Sequence, residues 1–218
     1  MSKRLIFFIR HGRTDWNDSS RFQGRTDVPL NDAGRAQAAS LAARMRDWRG
    51  TVLYSSTMSR AFETAQILSA NCGGLIEPRE GLVEMGFGDW EGRTFMELEK
   101  SATDHFHSWR ANPFDIVPQG GETFEAIRAR LELVLDEILE SDAARVAVVS
   151  HGGVIRAALC ILLKLSGETA WRMRLGNCSV TGIEKGRRGI SLLFLNDGVH
   201  TLVGGDGEAF LPSIPFCL

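Results

Sequence analysis

Two histidines and two arginines in this sequence sit where chemistry is readily assembled. Arg10-His11-Gly12 and His151-Gly152-Gly153 each follow a short apolar run, and Arg60 opens a helical pattern just behind another. In sheets covered by helices, ligands bind in the crevice beyond the carboxyl ends of the strands. Three separate segments therefore bring four groups to one rim. Phosphate is the ligand that such a cluster suits, because a guanidinium is a permanently charged planar fork that matches phosphate oxygens in pairs. A helix opened by Gly152 would add its free N–H groups and its positive dipole end. Each feature alone has a structural explanation, such as a surface cap, an ion pair or a tight turn. Their occurrence together, each at a strand's end, is what points to an anion site.

The elements that must position these groups are legible as alternating patterns. Leu5 to Ile9 is a continuous apolar run that reads as a strand buried on both faces. A helix is expected after Asn31 or Asp32, with Ala38, Leu41, Ala42 and Met45 on one face. Thr51 to Tyr54 reads as a second strand. Ser55-Ser56-Thr57 offers cap candidates for a helix carrying Met58, Ala61, Ala65 and Leu68. Strand then capped helix, twice over, implies parallel strands. Gly73 to Gly92 reads as strand and loop, Thr94 to Asn112 as weakly patterned helix, and Pro118 to Gly121 as a turn. A long amphipathic helix follows Thr123, with Phe124, Ile127, Leu131, Val134, Leu135 and Ile138 on one face. Val146 to Val149 is another buried strand, with a helix over Gly152 to Leu165. Strands near Val180–Glu184 and Ile190–Leu195 flank a short hairpin loop, so the sheet is expected to be mixed. The tail from Gly204 to Leu218, rich in Gly and Pro, is expected to be partly mobile.

Bulk properties exclude several classes. The chain has 218 residues, enough for one substantial core, and no internal repeat or linker divides it. Residues 1–218 are read as a single domain. A formal charge of -2 gives no global attraction to nucleic acid or to an anionic membrane surface. The four cysteines, Cys72, Cys160, Cys178 and Cys217, show no CxxC spacing, which argues against a zinc site or a disulfide framework. Basic residues at positions 3 and 4 precede an apolar run that stops at Ile9. A signal core needs about 7–15 apolar residues and a membrane span about 20. A cytoplasmic protein is expected, with a homodimer left open.

Taken in order, the motifs resemble the histidine phosphatase superfamily, which includes the cofactor-dependent phosphoglycerate mutases. The resemblance rests on Arg10-His11-Gly12-Arg13-Thr14-Asp15-Trp16-Asn17 and Gln23-Gly24-Arg25-Thr26-Asp27-Val28-Pro29-Leu30. It continues through Tyr54-Ser55-Ser56, Ser59-Arg60-Ala61, Thr64-Ala65, and Glu84 with Phe87-Gly88-Asp89-Trp90-Glu91-Gly92. Gly120-Gly121-Glu122 and Val149-Ser150-His151-Gly152-Gly153 complete it. It covers about residues 3 to 200.

The resemblance implies an α/β fold: a three-layer α/β/α sandwich whose mostly parallel central sheet carries one antiparallel strand. It implies that His11 is the nucleophile, forming a phosphohistidine that splits one hard step into two. Arg10, Arg60 and His151 would clamp the transferring group, with Asn17 and the Gly152 N–H adding hydrogen bonds. Glu84 would protonate the leaving alkoxide and later deprotonate water. Glu80 and Glu91 are the neighbouring alternatives for that role. No metal or other cofactor is implied, because a cationic pocket can itself stabilise phosphoryl transfer.

Gln23, Gly24, Phe22 and Trp90 are candidates for the substrate pocket, although Phe22 and Trp90 could equally pack the loop onto the body. Arg21 and Arg25 are read as partners of surface carboxylates. His105 and His107 point in different directions on a helix and make a poor metal pair. His200 is read as structural. A hydrolase acting on a small-molecule phosphate ester is preferred over a mutase, because the chain is compact and the Phe87–Gly92 run resembles the phosphatase branch. Within that branch it is similar to α-ribazole phosphatases, broad-specificity acid phosphatases and metal-independent phosphoserine phosphatases. A non-catalytic phosphate-binding module is the third reading. No nucleic-acid or membrane partner is expected.

Overall fold

A computed structural model describes residues 3–48, 51–101 and 104–201. The tail 204–218, its expected mobility and Cys217 lie outside the described residues. Six strands form one sheet: β1 (Arg4–Arg10), β2 (Val52–Ser55), β3 (Ile76–Pro78), β4 (Arg145–Ser150), β5 (Val180–Gly186) and β6 (Gly189–Asp197). Their order is β3-β2-β4-β1-β5-β6. β1 to β4 run parallel to one another, β5 is antiparallel to β1, and β6 reverses again. The single antiparallel strand is the one anticipated. The cause is local: Arg187 and Arg188 form a tight turn closed by Gly189 at φ 107°, a conformation that favours glycine.

Strand alternation decides where the helices sit. Ile6, Phe8, Val146 and Val148 face one side, against helices α4 (Phe95–Ser101), α5 (Asp104–Ala111), α6 (Phe124–Glu140) and α7 (Gly152–Leu163). Phe7, Ile9, Ala147 and Val149 face the other, against α2 (Asp32–Arg44) and α3 (Ser59–Cys72). Both faces are covered, which is the three-layer arrangement. Val146, Val148 and Val149 are fully buried, each worth about 1.5–3 kcal/mol of apolar transfer. The short helices α1 (Asp15–Asp18) and α8 (Gly167–Trp171) flank the rim.

The helix starts follow the side chains that end them. Asn31 Oδ1 accepts the Gly34 N–H at 2.9 Å at the start of α2, and Thr123 Oγ1 accepts the Ala126 N–H at 3.2 Å at the start of α6. α3 departs from expectation. Its N-cap is Met58, with no side-chain cap. The Ser56 hydroxyl lies too early to cap it and is drawn into the site below. The stretch expected as one helix from Thr94 resolves into α4 and α5.

Three strand ends coincide. Arg10 is in register with Ser150, and Ser55 with Val149. The next residues, His11, Ser56 and His151, therefore emerge side by side. His11 N–H donates to the Ser150 carbonyl at 2.9 Å, and Ser56 N–H to the Val149 carbonyl at 2.9 Å.

Candidate active site

His11 is buried, and its Nδ1 lies 2.6 Å from the Gly12 carbonyl. A carbonyl only accepts, so Nδ1 carries the proton and Nε2 keeps its lone pair. Burial, followed by the Arg60 and Arg10 charges, pushes the imidazole well below its usual range. His11 is thus neutral, with one nitrogen free to attack.

The His151 ring lies 5.1 Å from that of His11, centroid to centroid. Its Nε2 is 2.8 Å from Ser56 Oγ, while its buried Nδ1 has no partner among the described residues. Burial and then Arg60 also hold it well below the ordinary histidine range.

Arg60 is fully buried, yet it donates from Nη2 to the Gly24 carbonyl (3.0 Å) and from Nη1 to the Thr26 carbonyl (3.1 Å). Desolvation lowers it to about 10, so it stays cationic at neutral pH. Arg10 donates from Nη1 to the Leu175 carbonyl at 2.7 Å. The Nε of each arginine is buried without an acceptor. Two guanidiniums tethered at one edge and unsatisfied at the other are built for an anion.

Glu84 is also buried, and its carboxylate sits on the first turn of α7. It accepts from Met85 N–H (3.0 Å), Val154 N–H (3.2 Å) and Gly153 N–H (3.3 Å). This refines the expectation for that helix start. Two of its free N–H groups hold Glu84, and the Gly152 N–H is left for another anion. The neighbouring alternatives are otherwise engaged. Glu91 accepts from the N–H groups of Arg25, Thr26 and Phe87 and from the Thr26 hydroxyl, pinning the loop after His11. Glu80 is exposed.

Asn17 Oδ1 accepts from the Thr14 N–H at 3.1 Å and from Asn177 Nδ2 at 3.1 Å. The backbone donor fixes the amide's orientation and leaves Asn17 Nδ2 as the free donor. Gly24 is at φ 52°, and a Cβ there would fall 2.0 Å from Glu91 Oε1. It shapes the loop that Arg60 holds. Gln23 is buried beside it, with Oε1 lacking a donor. Phe22 and Trp90, each 7% exposed, pack with Phe87, Phe106 and Trp109. Packing is their visible role, and they fasten the loop to α5.

His105 Nε2 meets the Val117 carbonyl, and His200 Nε2 the Cys178 carbonyl. Arg21 pairs with Glu97 and Arg25 with Glu122. Sequence reasoning missed Ser56 as the partner of His151. It also missed Asn177, which donates to the carbonyls of His11 (3.0 Å) and Gly12 (3.3 Å). The one available signal was position: Asn177 just precedes the antiparallel strand, whose beginning lies at the same rim.

A family model described as histidine phosphatase superfamily (branch 1) matches residues 6–198. The chain belongs to the histidine phosphatase superfamily. Among curated members of the superfamily it is similar to putative phosphoserine phosphatase 2 of Hydrogenobacter thermophilus, with 31% identity over 91% of this chain and 98% of that one. It is 39% identical to phosphoglycerate mutase-like protein 4 of Arabidopsis thaliana, over 70% of this chain and 68% of that one. Among solved structures of superfamily members, mycobacterial glucosyl-3-phosphoglycerate phosphatase in complex with VO3 superposes with a TM-score of 0.81. That pair shares 29% identity, covering 89% of this chain and 99% of the other.

Proposed function

We propose that this protein hydrolyses small phosphate monoesters through a phosphohistidine on His11, without a metal. The observation that carries the reading is the Nδ1 contact of His11 with the Gly12 carbonyl, which leaves a neutral Nε2 on a ring that feels the charges of both Arg60 and Arg10. In the first step Nε2 attacks phosphorus, the P–O ester bond breaks, and the leaving alkoxide takes the Glu84 proton. In the second, water attacks phosphorus, the P–N bond breaks, and Glu84 recovers a proton from the water. Arg10, Arg60, His151, Asn17 Nδ2 and the Gly152 N–H hold the transferring group throughout, so the charge stabilisation comes from side chains and backbone dipoles. Gln23 and Gly24 border the substrate's entry.

The relatives named as phosphatases support this class of reaction. The relative named phosphoglycerate mutase-like favours a second reading, transfer of the phosphoryl group to another substrate hydroxyl. A non-catalytic phosphate-binding module is disfavoured by the neutral, free Nε2. We read residues 1–218 as one domain working in the cytoplasm on a small-molecule ester. Among the described residues no helix is long and apolar enough to cross a membrane.

The test is turnover of p-nitrophenyl phosphate in excess chelator, with the acid-labile phosphoenzyme trapped by rapid quench. Turnover and labelling that both vanish in His11→Ala support the reading. Activity lost to the chelator refutes the metal-free clamp. Phosphate passed to a second phosphoglycerate rather than released establishes the mutase. Phosphate binding without turnover establishes the module.

A further inference from the structure

Asn177 has no part in the mechanism above, yet every acceptor of its side-chain amide does. The amide nitrogen donates to the His11 carbonyl at 3.0 Å, to Asn17 Oδ1 at 3.1 Å and to the Gly12 carbonyl at 3.3 Å. An amide NH2 carries two hydrogens, so three oxygens share them. The same oxygens settle which way the amide faces. Turned over, it would set a fourth acceptor against three others.

Each of these oxygens has a second duty. The Gly12 carbonyl accepts from His11 Nδ1, the bond that leaves Nε2 its lone pair. Asn17 Oδ1 accepts from the N–H and the hydroxyl of Thr14, which leaves Asn17 Nδ2 as a donor. The third is the main chain of His11 itself. Oxygens brought this close repel one another unless a donor lies between them. One side chain thus ties the nucleophile's backbone, the carbonyl that sets its tautomer and a phosphate-binding amide to a single point.

The segment that delivers Asn177 carries a backbone outlier. Cys178 lies at φ 55°, a left-handed conformation that residues other than glycine rarely adopt and that persists only where surrounding bonds enforce it. Its N–H donates to the Arg10 carbonyl at 2.9 Å and the His11 carbonyl at 3.2 Å, and its carbonyl accepts from His200 Nε2 at 2.9 Å. The Ser179 carbonyl accepts the Arg10 N–H at 3.2 Å. Residues 177–179 therefore bond to Arg10, His11 and Gly12 in turn. They do so from the β5 edge of β1, while the Ser150 carbonyl holds His11 from the β4 edge.

We propose that Asn177 is a positioning residue for phosphoryl transfer: its donor fixes the distance and orientation between His11 and Asn17, and with them the seat of the phosphate on Nε2. This rests on the phosphatase reading and holds for any ester the site takes.

The experiment separates the donor from the shape. Asn177→Asp keeps the shape and puts an oxygen where the NH2 was. Asn177→Ala removes the group, and Asn177→Gln keeps an amide on a longer stem. With p-nitrophenyl phosphate, kcat and the rapid-quench rate of phosphoenzyme formation should fall from Gln to Ala to Asp. The Asp variant should lose about a hundredfold, the scale of displacing reacting groups by about 1 Å. Affinity for orthophosphate, measured by calorimetry, should weaken in the same order. Denaturation curves give the folded fraction on which each rate is expressed.

A role in packing alone predicts the reverse, with the isosteric Asp variant nearest to wild type, or rates per folded molecule unchanged in all three. Either result overturns the proposal. Should the Asp variant not fold, Gln against Ala decides, and equal rates overturn it. A wild-type protein that binds orthophosphate but turns over no ester refutes the phosphatase reading, and the order of the variants' phosphate affinities then decides this inference alone. A wild-type protein that does neither overturns both.

Discussion

His11 and His151 face each other with ring centroids 5.1 Å apart and planes inclined by 56°. Such a pair is compatible with burial only if neither ring is charged, because nearby cations and low polarity both oppose protonation. Burial is the larger cause at each, with Arg60 the next.

The first prediction follows from that. In the proposed mechanism the nucleophilic form of His11 is the neutral one, present above its pKa, and the lowered pKa extends it to acid pH. Imidazole resonances of His11 followed by NMR in the ligand-free protein should titrate below pH 6.5. A midpoint at or above 6.5 would contradict the assignment.

Stability should track the same groups. His11, His151 and His200 all have folded-state values below the unfolded value of 6.5. Below pH 6.5 the unfolded chain therefore binds more protons than the folded one, and stability falls as pH falls. Between pH 7 and 5 the denaturant midpoint should move downward. A flat midpoint over that window would show that these rings are not held neutral by the fold.

In the proposed mechanism Glu84 is the proton donor, so the effect of its loss should depend on the leaving group. Glu84→Gln should slow alkyl phosphate turnover by about a hundredfold or more. The initial burst of p-nitrophenol should be largely retained, because that anion leaves without a proton. Pre-steady-state kinetics with both esters checks this, and equal slowing would remove Glu84 from the acid role.

Gly153 touches the mechanism only through space. A Cβ there would fall 2.7 Å from Glu84 Oε1 and 2.6 Å from Met85 Sδ. Gly153→Ala should displace the carboxylate from the α7 N–H groups and reproduce, in weaker form, the leaving-group dependence of Glu84→Gln. A loss of about tenfold on alkyl esters is expected, a fraction of the general-acid contribution. Unchanged alkyl ester kinetics would mean that Glu84 does not need this seat.

Arg60→Lys preserves charge but not the fork. One ammonium cannot hold the Gly24 and Thr26 carbonyls and also bind phosphate. KM should rise by at least about tenfold, and stability should fall by about 1–3 kcal/mol as buried carbonyls lose a donor. Steady-state kinetics and chemical denaturation read the two effects separately.

Much of this molecule was legible in one dimension. The apolar run at positions 5–9, the one at 146–149 and the helical face of Ile127, Leu131 and Ile138 name their elements, because burial periodicity and capping are local properties. The hairpin at Arg187-Arg188 disclosed the reversed strand for the same reason. Strand ends then told where His11 and His151 emerge, and the motif order named the family.

Partnership was not legible. Glu84 meets the Val154 N–H across 70 positions, and Asn177 reaches the His11 carbonyl across 166. Ser56 resembles a helix cap until β2 and β4 come into register and deliver it to His151. Phe22 and Trp90 could line a pocket or fill a core, and packing against α5 chose the core. A hydrogen bond forms or fails over a few tenths of an ångström. Residue types and spacing carry the choice of element and of chemistry, whereas which donor meets which acceptor depends on how distant segments pack.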